Sequence, residues 1–330
     1  MLFNYNTTID TIYDLQLFAD LNTQTTASGD LSDEMKVFYS DYLIDNATPK
    51  LVHDQFAQKH PIPKNGGKTI EFRKYSPLPK LLTPLTEGVT PDGQSLQVST
   101  ITAEIAQYGG YITLSDVLLL TAIDNNQTEA ATLLGDQAGA TLDTITREVL
   151  NGGTNVIYSG GVTSRSALTK TLSVSDIKNA ARVLKNQNTK KIDNSFVAII
   201  HPDVAYDLTE DPKWEAVKEY DPSDWYEGEI GRIHGVRFVE TTEAKVWDNA
   251  GSGGKTVYST LVLGANAYGT TDVAGGGLQY IAKQLGSAGT ADPLNQRATV
   301  GWKAIKTAER LVENFMVRIE SVSTFDAEAN

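Results

Sequence analysis

The sequence contains no cysteine and only four histidines among its 330 residues, and these shortages exclude several kinds of chemistry. Without cysteine there can be no disulfide, no thiol nucleophile and no cysteine-ligated metal. The histidines, His53, His60, His201 and His234, do not form the H-x-x-x-H spacing of a metal site. We therefore predict no metal site and no cofactor.

Basic residues are also few relative to acidic ones. The chain has 28 Lys and Arg against 41 Asp and Glu, and its formal net charge is −13. The basic residues are spread out, and the densest pairs are Arg73-Lys74 and Lys190-Lys191. Because an acidic surface repels nucleic-acid phosphate, this composition argues against tight or sequence-specific nucleic-acid binding.

Long apolar runs are absent as well. No stretch approaches the roughly 18 residues that a membrane-spanning helix needs. The first residues, MLFNYNTTIDTIYDLQLFADL, lack the basic region and the apolar core of a signal peptide. We therefore expect a protein that is made in the cytoplasm without membrane association.

Catalytic motifs are incomplete wherever they begin. Gly254-Lys255-Thr256 resembles the end of a phosphate-binding loop, but position 249 is Asn where that motif needs glycine. His201-Pro202-Asp203 follows an apolar run and is typical of a helix start. No G-x-S-x-G elbow occurs. We predict no catalytic residues and a protein that is not an enzyme, although the α/β half could in principle be a small-molecule-binding enzyme domain.

Residues 60–110 differ from the rest of the chain and indicate an excursion. A short strand after HPIPKNGGKTIEF is followed by a region rich in Pro and Gly, and then by the alternating stretch LQVSTITAEIAQYGGYITL, typical of a long strand. A loop of roughly 20 residues between two strands buries little surface within one domain. The pattern allows two interpretations equally, a hairpin that lies on a neighbouring subunit or a disordered surface loop.

The remaining pattern predicts an α+β fold. The first thirty residues indicate a weakly ordered arm, and a helix is predicted from Leu31 to about Asp45. Residues 124–150 carry one long apolar stripe that ends at Asn151-Gly152-Gly153, which predicts a helix close to 40 Å long. From 173 onward helices and strands alternate, with strands near 196–200, 236–240, 257–263 and 278–282. Residues 298–322 predict two long strands with a turn near Glu313-Asn314.

Six stretches, in order along nearly the whole chain, resemble those of a known family. They are LVHDQFAQKHPIPKNGGKTIEFRKYSPL (51–78), PLTEGVTPDG (84–93), QYGGYITLSDV (107–117), LLGDQAGATLDTITREVLNGGTNV (133–156), IGRIHGVRFVET (230–241) and DPLNQRATVGWKAIKTAERL (292–311). The family is the major capsid proteins of tailed bacteriophages, in the podovirus-like branch of the Hong-Kong-97-type shell fold.

The resemblance implies a division of the chain into five parts. They are an N-terminal arm (1–65), an extended β-hairpin loop (66–110), a peripheral domain with a spine helix over 124–150 (111–170), an α/β axial domain (171–295) and the return strands of the peripheral domain (296–330). It also implies a structural protein that self-assembles into hexamers and pentamers of an icosahedral head around double-stranded DNA.

The implied partners are other copies of the chain, a portal, a separate scaffolding or decoration protein, and packaged DNA bound without sequence specificity. The implied location is the virion capsid, assembled in the host bacterial cytoplasm. An encapsulin-type nanocompartment shell is an alternative that uses the same fold.

Inter-subunit contacts are expected in the hairpin, and tight turns at three glycines. The contact residues predicted by position are Lys68, Arg73, Lys74, Lys80 and Glu87. The predicted turn glycines are Gly88, Gly231 and Gly235.

Overall fold

The structure, a computed structural model, describes most of the chain beyond its first fifty residues. The described residues are 43, 51–61, 68–75, 78–85, 87–90, 92–121, 126–214, 231–271, 278–287, 289, 292–326 and 330. The helix predicted over 31–45 lies outside this part, except for Leu43, which is helical and fully buried. Within these ranges, no helix is long and apolar enough to cross a bilayer, and no group of three or more His, Asp or Glu side chains could hold a metal ion.

Strands dominate the first and last parts of the chain, with helices between them. In chain order the elements are β1 (Gln58–His60), β2 (Thr69–Tyr75), β3 (Val98–Glu104), β4 (Ala106–Ser115), α1 (Asp116–Thr121), α2 (Asn126–Asn151), β5 (Val156–Tyr158), α3 (Val174–Asn186), β6 (Phe196–Ile200), α4 (Pro202–Thr209), β7 (Arg232–Ile233), β8 (Val236–Glu240), β9 (Val246–Trp247), β10 (Val257–Leu263), β11 (Tyr268–Thr271), β12 (Leu278–Lys283), β13 (Arg297–Lys306), β14 (Ala308–Arg310) and β15 (Met316–Val322).

The largest sheet has helices on both faces. It joins β5, β15, β10, β6, β8 and β7 in that order, and β9 pairs with β10. Every residue of β6, β10 and β15 is buried, as expected for strands covered on both sides. Side chains of β6 enter two cores: Ala198 and Ile200 pack with α3 and α4, whereas Ile199 packs with Leu150 of α2.

Local sequence signals start the two helices of this α/β half. Ser173 and Asp176 form the predicted capping box at α3, in which Asp176 Oδ2 accepts from the backbone N–H of Ser173 at 3.2 Å. Pro202 occupies the first turn of α4, and His201 Nδ1 accepts from the N–H of Asp203 at 3.2 Å. The His-Pro-Asp tripeptide therefore starts a helix, as predicted.

The long helix α2 packs against a three-stranded sheet. Its 26 residues span about 39 Å at the usual rise per residue, which confirms the helix predicted over 124–150. The sheet order is β12-β13-β4. Leu134, Ala138 and Leu142 of α2 share a core with Val300 and Trp302 of β13, so the helix supports the sheet along one face.

A buried polar cluster fixes residues 51–57 onto this body. The side chains of Lys306 and Asp54 form a salt bridge and are almost wholly buried. Asp143 of α2 accepts hydrogen bonds from the backbone N–H of His53 at 2.7 Å and pairs with its ring Nδ1 at 2.6 Å. Tyr268 donates its hydroxyl proton to the carbonyl of His53. The segment is therefore held by ionic and hydrogen-bonding contacts from α2, β11 and β13.

Burial shifts the pKa values of two side chains in this cluster, Lys306 and Tyr268, in opposite directions. Desolvation lowers the pKa of Lys306, although Asp54 and Asp143 act against this effect. Desolvation raises the pKa of Tyr268 well above its usual range, and the charges of the same two carboxylates raise it further.

The strand β15 carries a buried carboxylate at its centre. Glu320 is fully buried and accepts two hydrogen bonds from Arg165, each at 2.7 Å. Arg318 lies 2.9 Å from the same carboxylate. The Glu320 hydrogen bond also raises the pKa of Arg165. This bidentate pair ties the strand to the loop before α3.

Two predicted strand regions are divided in the structure. The stretch predicted as one strand over 96–114 is divided into β3 and β4. The backbone N–H of Ile105 bonds to the carbonyl of Lys68 at 2.8 Å, and the chain then changes its pairing partner. Residues 298–322 form β13, β14 and β15, with a 3-10 turn at Glu313–Phe315. The last strand, β15, pairs with β5 and β10 and therefore lies in the large sheet.

Candidate assembly surface

The predicted hairpin is present as an antiparallel pair, β2 and β3. All seven residues of β2 pair with β3, from Thr69 opposite Glu104 to Tyr75 opposite Val98. The connection spans 76–97, and its described residues (78–85, 87–90 and 92–97) form neither helix nor strand.

The base of the hairpin is anchored to the body by a small apolar cluster. Ile70, Phe72 and Ala103 are buried and pack with Ile105 and Leu311. Phe72 also meets the ring of His60 edge-on, at a centroid distance of 4.8 Å.

A glycine makes room for this anchor. The ring of Phe72 lies over Gly269 so closely that a Cβ atom at position 269 would overlap it. The hairpin therefore has one packed end and one free end.

The free end exposes large apolar side chains. We name Leu78, Leu81, Leu82 and Leu85 the tip leucines, and their exposed fractions range from 54% to 85%. All described residues from 78 to 100 are exposed. A group of exposed apolar side chains of this kind marks an interaction site, because leaving them in water forgoes roughly 1.5–3 kcal/mol for each leucine that could be buried.

The predicted contact residues lie along the same hairpin. Lys68 is exposed at its packed end, Arg73 is exposed in the second half of β2, and Lys80 and Glu87 are exposed in the connection. The backbone of Lys74 pairs with Ser99, and its side chain lies outside the described residues. The prediction named charged residues and did not include the tip leucines. Their signal in the sequence is Leu81-Leu82 between Pro79 and Pro84, with Leu85 directly after Pro84.

The three predicted turn glycines all have positive φ angles. Gly88 has φ 79° in the connection, Gly231 has φ 130° before β7, and Gly235 has φ 82° between β7 and β8. Side chains other than glycine rarely adopt these angles, so the local geometry accounts for glycine at all three positions.

The exposed face of the β12-β13-β4 sheet contains a shallow concavity. Gly301 lies between its cross-strand partners Tyr111 and Ile281. Because Gly301 has no side chain, it leaves a depression at the centre of this face, and the exposed side chain of Tyr111 forms one wall of the depression. We call this 370 Å³ concavity the sheet trough, and Lys283 and Lys303 also line it.

The sequence matches a family model described as phage capsid protein over residues 98–308. The chain belongs to this family. The match spans both the α2 body and the α/β half, so it covers well over half of the chain and its two main cores. It confirms the resemblance that the six stretches indicated, and it makes the chain a structural major capsid protein.

Solved phage capsids share the fold of this capsid protein. The capsid of Ralstonia phage GP4 is 16% identical with a TM-score of 0.64, and the match covers 98% of this chain and 100% of that one. The cyanophage Pam1 capsid is 14% identical with a TM-score of 0.63 and the same coverage. The cyanophage P-SCSP1u capsid is 13% identical with a TM-score of 0.61, covering 82% of this chain and 87% of that one. These likenesses confirm the predicted α+β capsid fold of the Hong-Kong-97 type.

A comparison with curated protein sequences gave no match to this capsid protein.

Proposed function

We propose that this capsid protein forms hexamers and pentamers that close an icosahedral head around double-stranded DNA. The observation that carries the proposal is the hairpin with one anchored end and one apolar free end. Within a single chain the tip leucines bury little surface, and a neighbouring copy would provide an apolar surface for them to pack against. A stable interface buries about 1,000 Å² or more, which an extended hairpin can reach.

The receiving surface in this proposal is the sheet trough of the next subunit. Its low centre at Gly301 and its wall at Tyr111 offer space for an apolar side chain. Lys283 and Lys303 beside it complement Glu87, which follows the tip leucines in the connection. Apolar burial would supply affinity, and the charge pair would favour one register of the hairpin.

The five-part division is proposed with one adjustment. The arm (1–65), the hairpin (66–110), the peripheral domain (111–170) and the axial domain (171–295) keep their bounds. The return region (296–330) is shared, since β13 pairs with β4 of the peripheral sheet and β15 pairs with β10 of the axial sheet.

The remaining partners follow from the proposed head. Packaged DNA would be enclosed without sequence-specific contacts, because a chain of net charge −13 has no general affinity for phosphate. A portal and a separate scaffolding or decoration protein would complete the head, which is assembled in the host cytoplasm and ends in the virion.

The test is electron microscopy of purified protein that carries L81S/L82S. Wild-type protein should form shells. The variant should remain as subunits with unchanged circular dichroism and thermal melting, because these side chains are exposed in the subunit. L294S, at an exposed leucine outside the hairpin, is the matched control and should assemble normally. Normal shells from L81S/L82S would show that the tip leucines are not the contact.

A further inference from the structure

Folding of the α/β half creates a basic surface that the sequence does not display. Lys178, Arg182 and Lys185 lie on one exposed face of α3, and His234 faces them from the turn between β7 and β8. We name this concavity of about 710 Å³ the basic groove. Its other lining residues are one serine, one alanine and two asparagines, so no acidic side chain of the described residues lines it.

The cations of the basic groove are held without being neutralised. Asn179 accepts from Arg182 at 2.9 and 3.2 Å, which orients the guanidinium group. Among the described residues, none of the salt bridges includes Lys178, Arg182 or Lys185. A concentration of positive charge that no described residue pairs with, within a chain of net charge −13, indicates a partner of negative charge.

The chain itself contains a segment of matching charge. Residues 215–230, EAVKEYDPSDWYEGEI, contain six acids and one lysine, so these 16 residues have a net charge of −5. We name them the acidic segment, and their structure lies outside the described residues. The described residues that flank it lie close together, because a Cβ atom at Gly231 would lie 3.7 Å from the Trp214 ring. The acidic segment therefore leaves and rejoins the axial half at one place.

We propose that the acidic segment of one copy docks in the basic groove of the next copy around a capsomer. This inference rests on the proposed function, since it names the axial contact of the proposed hexamers and pentamers. Two different complementary surfaces on one chain give a head-to-tail contact, and such contacts form a ring when the rotation between successive copies closes. The acidic segment is the partner that we infer for the basic groove, because its several carboxylates match the positive charges of the groove.

The experiment reverses the charges of each side in the full-length chain. One variant is K178E/R182E in the basic groove, and the other is D221K/D224K in the acidic segment. All four substitutions avoid the described cores. The control, K170E/K255E, makes the same change of net charge as the groove variant at two exposed lysines outside the groove.

We expect each variant alone to raise the protein concentration needed for assembly by about tenfold, since an exposed ion pair contributes modestly and reversal makes it repulsive. An equal mixture of the two variants should recover most of the lost assembly. In an alternating hexamer every groove meets a segment of opposite charge, and in a pentamer all but one do. The control should assemble as wild type does, and light scattering with electron microscopy measures all four samples.

Three results would overturn the inference. If both variants assemble normally, the groove is not an axial contact. A further chain that carries all four changes separates two other outcomes. If neither the mixture nor this chain assembles, the groove binds a different polyanion, such as DNA. If this chain assembles and the mixture does not, the contact is intramolecular. Failure of wild-type protein to form shells would instead refute the proposed function.

Discussion

Replacing Lys306 by Met would test whether the buried polar cluster holds residues 51–57 on the body. The side chain of Lys306 is wholly buried, and that of Asp54 is 3% exposed. Removing the cation leaves the Asp54 carboxylate buried without its partner. Breaking a buried ion pair in this way costs about 3–5 kcal/mol. Since a folded domain is stable by only about 5–15 kcal/mol, the effect is large.

A double variant separates the loss of a contact from the burial of an unpaired charge. In K306M/D54N both members of the ion pair lose their charge. In the wild-type structure the Thr146 hydroxyl lies 3.4 Å from Asp54 Oδ1, and it can still contact an asparagine at position 54. We expect this variant to be more stable than K306M, with a coupling energy of roughly 2 kcal/mol between the two positions.

The assay is urea unfolding followed by tryptophan fluorescence, at protein concentrations below those of assembly. K255M, at an exposed lysine, is the control and should lie within about 0.5 kcal/mol of wild type. A loss below about 1 kcal/mol in K306M, or costs that simply add in the double variant, would refute the reasoning.

Two further predictions concern the neighbouring strand β11. Gly269→Ala should lower the free energy of unfolding by about 1–3 kcal/mol, because the added methyl group overlaps the Phe72 ring. It should also weaken assembly by loosening the hairpin base, and G269A/F72L should recover part of both losses. Equal melting temperatures of G269A and wild type would contradict this prediction. Tyr268 has a raised folded pKa, so its contribution to stability is present below pH 10 and lost as pH rises further. Above pH 10 the free energy of unfolding should fall by up to about 1.4 kcal/mol per pH unit. Urea unfolding between pH 10 and 11 should therefore show a steeper fall in wild type than in Y268F. Equal falls in the two proteins would contradict this prediction.

Elements with strong local signals could be predicted from the sequence. The apolar stripe of α2, the capping box of α3 and the continuous apolar runs of β6 and β10 each specify one structure locally. Their bounds in the structure differ from the predicted bounds by only a few residues. The hairpin strands were also predictable, although pattern alone did not decide between a projecting hairpin and a disordered loop.

The remaining features depend on contacts between distant parts of the chain. The alternating pattern of 96–114 is continuous, and only pairing with β2 and then with β13 divides it at Ile105. Short strands such as β5 and β11 contain too few residues for a periodic signal. The basic groove was missed for a similar reason. Lys178, Arg182 and Lys185 are spaced along the sequence, and only a helix turn and the approach of His234 bring them together.

The position of β15 has a consequence for the order of synthesis. This strand lies between β5 and β10 in the sheet. The ribosome synthesises it after both of these neighbours. Until residues 316–322 emerge, β10 lacks its seven-residue partner and Arg165 lacks the carboxylate of Glu320. A nascent chain therefore cannot complete its main sheet. Nascent chains that have not yet produced residues 316–322 would therefore lack the complete sheet on which a subunit is built.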